Sequence, residues 1–157
     1  MFGTNSPNHL SEKVLVILGS ARDSSNTLKT VERLCPWPKY EMIDLRDYGL
    51  MYYDYGSTSG TDRFREIVER ILESEIIVFA TPVYWYSMSG QMKVFFDRLT
   101  ELITVDKPVG RSLKGKKTYL IASGGNAELP EGFEIPFKLT SKYLDMVYTG
   151  ASYSQFR

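Results

Sequence analysis

Ser20, Arg22, Ser25, Asn26 and Thr27 crowd into one short stretch, Gly19-Ser-Ala-Arg-Asp-Ser-Ser-Asn-Thr27. Hydroxyl and amide groups donate hydrogen bonds and a guanidinium supplies a permanent positive charge, which together complement a phosphate. A turn that enters a helix adds free backbone N–H groups and the positive end of the helix dipole. An ordinary hydroxyl-capped helix start uses the same residue types, because Ser and Asn are common N-caps. Two further stretches bear on the choice. Thr81-Pro82-Val83-Tyr84-Trp85-Tyr86 sets three aromatic rings directly after a proline, and Ser123-Gly124-Gly125-Asn126 pairs two glycines. Paired glycines let the backbone approach a ligand closely or take positive φ, and the sequence leaves both readings open.

The elements that must position these residues follow from periodicity. Val14 to Leu18 is a short run rich in Val and Ile, the pattern of a strand buried on both faces, and Gly19 stops it. Leu28, Val31 and Leu34 then recur at helical spacing. Cys35-Pro-Trp-Pro breaks the pattern, and Tyr40 to Leu45 is predicted as a second strand. Asp47 to Thr61 is a long connection containing Tyr48, Tyr52, Tyr53 and Tyr55. These rings could cover a planar ligand, pack on a partner subunit or seal the core edge. Thr61 and Asp62 open a helix with Phe64, Ile67, Val68, Ile71 and Leu72 on one face. Ile76 to Ala80 is a third strand, with Pro82 marking where pairing ends. A helix from Ser87 or Ser89 carries Met92, Phe95, Phe96, Leu99, Leu102 and Ile103 at core spacing. Lys107 to Lys117 reads as a basic turn, Thr118 to Ala122 as a fourth strand, Pro130 to Leu144 as a helix with irregular first turns, and Met146 to Tyr153 as a fifth strand.

Alternating strands and helices imply a parallel sheet with right-handed crossovers, whose ligands bind beyond the carboxyl ends of the strands. The polar loop, the aromatic triplet and the Gly-Gly turn follow strands one, three and four, so all three project from one edge. Together they describe a pocket for a planar ring with a phosphate tail. FMN suits it better than a dinucleotide, because the first turn is not Gly-x-Gly-x-x-Gly, and no Walker Gly-Lys-Ser/Thr occurs.

Composition narrows the class. At 157 residues the chain reads as one domain, a loose polar tail over 1–12 followed by a single unit over 13–157. Nineteen Lys and Arg balance nineteen Asp and Glu, which argues against nucleic acid or an anionic membrane surface as partner. One cysteine, Cys35, excludes an internal disulfide and a cysteine-rich metal or iron–sulfur site within one chain, and no metal site is expected. It points to a reducing compartment. No apolar run reaches membrane-span length, so the expectation is a cytoplasmic protein. The sole histidine, His9, lies in the tail, a poor place for the ordered partners that a functional imidazole needs.

The stretches Gly19-Ser20-x-Arg22-x-x-Ser25-Asn26-Thr27, Thr81-Pro82-x-Tyr84, Lys93-x-x-Phe96-Asp97-Arg98, Leu113-x-Gly115-Lys116 and Ser123-Gly124-Gly125 resemble, in order, the signatures of the NAD(P)H-dependent FMN reductase family. That resemblance implies an α/β fold of three layers, a flavodoxin-like doubly wound five-stranded parallel sheet in the order 2-1-3-4-5. It implies that Ser20, Arg22, Ser25, Asn26 and Thr27 hold the FMN phosphate, that Pro82, Val83, Tyr84 and Trp85 flank the flavin ring, and that Ser123, Gly124 and Gly125 meet its other edge. Lys93 and Asp97 are expected to hold the helix and an oligomer interface. The chain departs from related iron–sulfur flavoproteins in having tyrosines where they carry clustered cysteines, and Ser24-Ser25 stands where many relatives have glycine.

The resulting expectation is an oxidoreductase that passes a hydride from NADPH or NADH to flavin N5 and electrons on to a second small-molecule acceptor: flavin, quinone, azo or nitro compound, or metal ion. The flavin carries the chemistry, so no side chain is assigned as a catalytic acid or base. A flavodoxin-type carrier that binds FMN without nicotinamide is the rival, and its acidity is missing here; a flavin-free binding module is the third class. No closing helix follows strand five. A bare sheet face would expose a contiguous apolar patch, which predicts a homodimer or homotetramer with Met88 and its aromatic neighbours at the pocket mouth, where another subunit completes the nicotinamide site.

Overall fold

The computed structural model describes residues 12–55 and 62–156. The expected strand runs become a five-stranded sheet in the order β2-β1-β3-β4-β5, every neighbouring pair parallel. The strands are β1 Val14–Leu18, β2 Glu41–Asp44, β3 Ile76–Pro82, β4 Lys117–Gly124 and β5 Val147–Gln155. β1 and β3 are buried along their whole length, as central parallel strands covered on both faces must be. His9 and the rest of 1–11, with 56–61 of the tyrosine-rich connection, lie outside the described residues. Glu12 is described and pairs with Lys117 at 2.7 Å.

Six α-helices occur among the described residues, α1 Asn26–Leu34, α2 Phe64–Leu72, α3 Gly90–Arg98, α4 Glu101–Thr104, α5 Lys107–Arg111 and α6 Ile135–Tyr143, besides a short 3-10 helix at Leu45–Tyr48. The apolar residues of α2, α3 and α6 share a core with Leu15, Ile17 and Phe79 on one face, while Val31 of α1 packs on Val14, Val16, Ile76 and Val78 on the other. None of the described helices is long and apolar enough to cross a membrane.

Three helix expectations need correction. The helix expected through Ile103 ends at Arg98, because the bonding tightens there: Leu99 N–H reaches Phe96 O (3.1 Å), Leu102 N–H reaches Leu99 O and Ile103 N–H reaches Thr100 O, all three-residue steps. The basic turn contains the one-turn helix α5, which packs so closely on α4 that a Cβ on Gly110 would stand 2.0 Å from the Leu102 carbonyl oxygen. α6 begins at Ile135, not Pro130, because Gly132 turns the chain at φ +79°.

On the α1 side of the sheet the β5 end carries polar side chains. β5 presents Ser152, which bonds Tyr119 Oη at 2.7 Å, and Ser154, which accepts from Arg33 of α1. Val147 and Met42, the large exposed apolar residues on that side, sit on opposite edge strands.

Candidate functional site

The first loop leaves β1 with Gly19 N–H bonded to Ala80 O at 2.8 Å, so it starts tied to β3. Gly19 has a packing reason: a Cβ there would lie 3.0 Å from Met92 Cβ and 3.1 Å from Ser89 Oγ. Ser20 is buried and its hydroxyl donates to Arg22 O (3.3 Å), curling the loop. Ser24 takes φ 42°, a conformation that favours glycine. Ser25 caps α1 by accepting Leu28 N–H at 3.0 Å, so the hydroxyl-cap role is real and its own O–H still has a hydrogen to give. The Arg22 side chain is exposed, and among the described residues its guanidinium has no hydrogen-bond or ion-pair partner.

Thr27 turns inward. Its Oγ1 lies 2.8 Å from Ser123 Oγ in a buried contact that joins the first loop to the end of β4. Ser123 is also in register with Pro82, and its carbonyl accepts Val83 N–H at 2.8 Å. That bond closes the last rung of the β3–β4 ladder, so pairing ends at Pro82 as expected, two residues beyond the apolar run that closes at Ala80. The proline is tolerated because Val83 N–H faces β4, which turns the position of the missing Pro82 N–H toward β1, and β1 has left its pairing with β3 at Ala80.

Beyond Val83 the chain reverses in a two-residue turn, with Tyr84 and Ser87 exchanging both backbone bonds (2.9 and 3.0 Å). Its central residues, Trp85 at φ 48° and Tyr86 at φ 65°, occupy conformations that favour glycine. Trp85 is 93% exposed and Tyr86 68%, so two strained rings stand in solvent beside the strand ends. Met88 does not join them. It is buried in the core, against its expected place at the pocket mouth.

At the third loop Gly124 resolves the open choice between close approach and positive φ. A Cβ on it would meet Tyr153 Oη at 3.0 Å and Val83 Cβ at 3.1 Å, and its φ is ordinary. Nothing lies within 4 Å of a Cβ on Gly125, which is exposed. β5 clamps this turn through bonds invisible in the sequence: Phe156 N–H to Gly124 O (2.9 Å), Gln155 Nε2 to Gly125 O (3.0 Å) and Tyr153 Oη to Asn126 O (2.7 Å). Burial pushes the Tyr153 hydroxyl pKa up and keeps it a donor. Thr81 and Ser89 were also missed as site supports; Ser89 N–H donates to Thr81 Oγ1 (3.0 Å), and Ser89 Oγ caps α3. Lys93 and Asp97 pair across one exposed turn of α3, away from this edge.

A cleft of about 860 Å³ is lined, among the described residues, by none of the twelve candidates. It lies between the segment 45–54 and the first turns of α3. Arg46 connects it to the first loop, bonding Asp44 and reaching Asp23 at 2.6 Å.

A sequence model of the NADPH-dependent FMN reductase family matches residues 12–153. The chain is 30% identical over 148 residues to the putative NAD(P)H-dependent FMN-containing oxidoreductase YwqN of Bacillus subtilis (strain 168), across 88% of this chain and 82% of that one. The solved structure of the Trp repressor binding protein from Bacillus subtilis is 28% identical and superposes at TM-score 0.73 over 92% of this chain and 85% of that one. The general stress protein 14 from Treponema denticola, solved in complex with FMN, is 21% identical at TM-score 0.62 over 90% and 84% of the two chains, a likeness of fold.

Proposed function

The chain belongs to the NADPH-dependent FMN reductase family, and from that membership we propose a working cycle in which a hydride from NADPH or NADH reduces FMN at the shared strand edge and a second small molecule takes the electrons away. That it is an FMN-dependent, NAD(P)H-using oxidoreductase follows from the family and from the extent of its likeness to YwqN. The placement of the flavin is our reading. One observation carries it: Ser123 is bonded by both Thr27 and Val83, so three loops far apart in sequence form one edge.

The residues there fit FMN. The guanidinium of Arg22, exposed and without a partner among the described residues, stands on the loop that leads into the N-terminus of α1. In this reading Ser20, Arg22, Ser25, Asn26 and Thr27 hold the phosphate; Pro82, Val83, Tyr84 and Trp85 flank the ring; Ser123, Gly124 and Gly125 bound its far edge. FMN, when bound, supplies the hydride chemistry. The protein's part is to bind and orient. Thr27 and Ser123 fix the distance between phosphate loop and ring edge, the Tyr84–Ser87 turn holds Trp85 at the rim, and no side chain acts as acid or base. Loss of FMN but not riboflavin affinity in Arg22→Ala tests this placement. The unpaired, half-buried Cys35 supports a reducing, cytoplasmic setting.

The same reading includes a homo-oligomer. Ile135, Leu139 and Tyr143 form an exposed stripe along α6, 53%, 60% and 72% accessible. Glu131 and Glu134 lie at the start of that segment and Lys138 and Lys142 toward its end. A two-fold antiparallel pairing of α6 with a second copy would bury the stripe and set acidic ends against basic ones.

A further inference from the structure

A charged bridge ties the first loop to the end of β2. Arg46 stands in the 3-10 helix that follows β2, and Asp44, the last residue of the strand, holds it by backbone and side chain together. An Asp44 carboxylate oxygen accepts the Arg46 backbone N–H at 3.0 Å, and both of its oxygens accept Arg46 Nε at 3.1 Å. Arg46 Nη2 bonds Asp44 again at 2.6 Å and reaches across to Asp23 Oδ1, also at 2.6 Å. A guanidinium gripped along one edge has little freedom left, so the bond to Asp23 is aimed by β2 rather than by the loop.

The bridge occupies the carboxylate next to Arg22. Asp23 follows Arg22 directly, with consecutive Cα atoms about 3.8 Å apart, and its side chain is 93% exposed. A carboxylate so placed is a natural partner for the Arg22 guanidinium, yet among the described residues Arg22 has none, because Asp23 is bonded to Arg46. An aspartate paired with Arg22 would cancel the charge that a phosphate needs, and one left free beside it would repel the phosphate.

We propose that Arg46 is a positioning residue for the FMN phosphate site: it holds the Asp23 carboxylate against the end of β2 and thereby keeps Arg22 free for the phosphate. This rests on the placement of the phosphate at the first loop. With Arg46 present, the cluster of Asp23, Asp44 and Arg46 carries one net negative charge; without it, the same cluster carries two.

The test dilutes flavin-loaded protein and reads released flavin by its fluorescence, which gives dissociation constants for FMN and for riboflavin, the same ring without the phosphate. Arg46→Gln should weaken FMN roughly three- to tenfold, the effect of one unit charge a few ångströms away in surface surroundings, and leave riboflavin within about twofold. That weakening should fade in 1 M NaCl, where screening acts within about 3 Å. Asp23→Asn should bind FMN at least as tightly as the unaltered chain, and adding it to Arg46→Gln should restore the lost affinity. A purely structural role of Arg46 gives no such rescue. FMN affinity indifferent to Arg46→Gln, a deficit shared by riboflavin or untouched by salt, or a double variant no better than Arg46→Gln each overturns the proposal. Arg22→Ala then tells what has fallen: if it weakens FMN and spares riboflavin, the phosphate placement stands and the role of Arg46 alone is lost. If it weakens both flavins equally, the phosphate lies elsewhere and both readings are lost.

Discussion

Arg22 shows how far residue types reach on their own. Its charge among hydroxyls suggested a phosphate site, and the structure leaves its guanidinium exposed and without a partner among the described residues. Arg22→Ala should weaken FMN roughly ten- to hundredfold, the worth of a charge-assisted hydrogen bond, and leave riboflavin nearly unchanged in a fluorescence titration. Equal weakening of both would move the phosphate elsewhere. Which hydroxyls turn inward was not legible. Thr27 meets Ser123 across 96 residues of sequence, and no local pattern announces such a contact. Nor was the φ 42° of Ser24 legible, a conformation that favours glycine. Ser24→Gly should therefore keep or raise the melting temperature, whereas Ser24→Ile should cost about 1–2 kcal/mol, as a branched side chain does in left-handed backbone.

Elements were legible where burial alone dictates them. β1, β3 and β4 are apolar runs or their continuations, while the edge strands β2 and β5 are mostly polar, and the parallel order follows from alternation with helices. The breaks after Arg98 and before Ile135 were not legible, since they depend on three-residue hydrogen bonds and on Gly132 rather than on a change of pattern. Asp62 was read as a helix opener. It does accept Phe64 N–H at 3.1 Å, but its larger role is to pair with Arg98, whose guanidinium also bonds Glu101 and lies 4.7 Å over the Phe64 ring. Burial alone would raise the Asp62 pKa; Arg98 and the Met51 and Phe64 N–H groups outweigh it and hold the carboxyl below its ordinary range. Its contribution to stability is thus complete above the unfolded value of about 4 and is lost as pH falls through the lower folded value. Asp62→Asn should cost about 1.5–3 kcal/mol in urea at pH 7, the worth of a charge-assisted bond with Glu101 still holding the buried guanidinium, and its deficit should shrink below pH 4. A deficit that is constant with pH would mean that the carboxylate's charge contributes nothing.

For the whole molecule, the order 2-1-3-4-5 brings the loops after β1, β3 and β4 to one edge, which the alternation of elements foretold. Ser152 and Ser154 make the α1 side of β5 polar, and an exposed apolar stripe stands on α6. Sedimentation equilibrium should accordingly give twice the chain mass or a multiple of it, and Leu139→Glu should return the mass toward one chain; a wild type that stays single at high concentration would remove the assembly. The central claim is that this edge passes a hydride from a nicotinamide to FMN. Purified protein loaded with stoichiometric FMN should lose its flavin absorbance near 450 nm when NADPH or NADH is added without oxygen. Flavin that stays yellow under an excess of both nucleotides, yet bleaches with dithionite, would contradict the account and identify an electron carrier in its place.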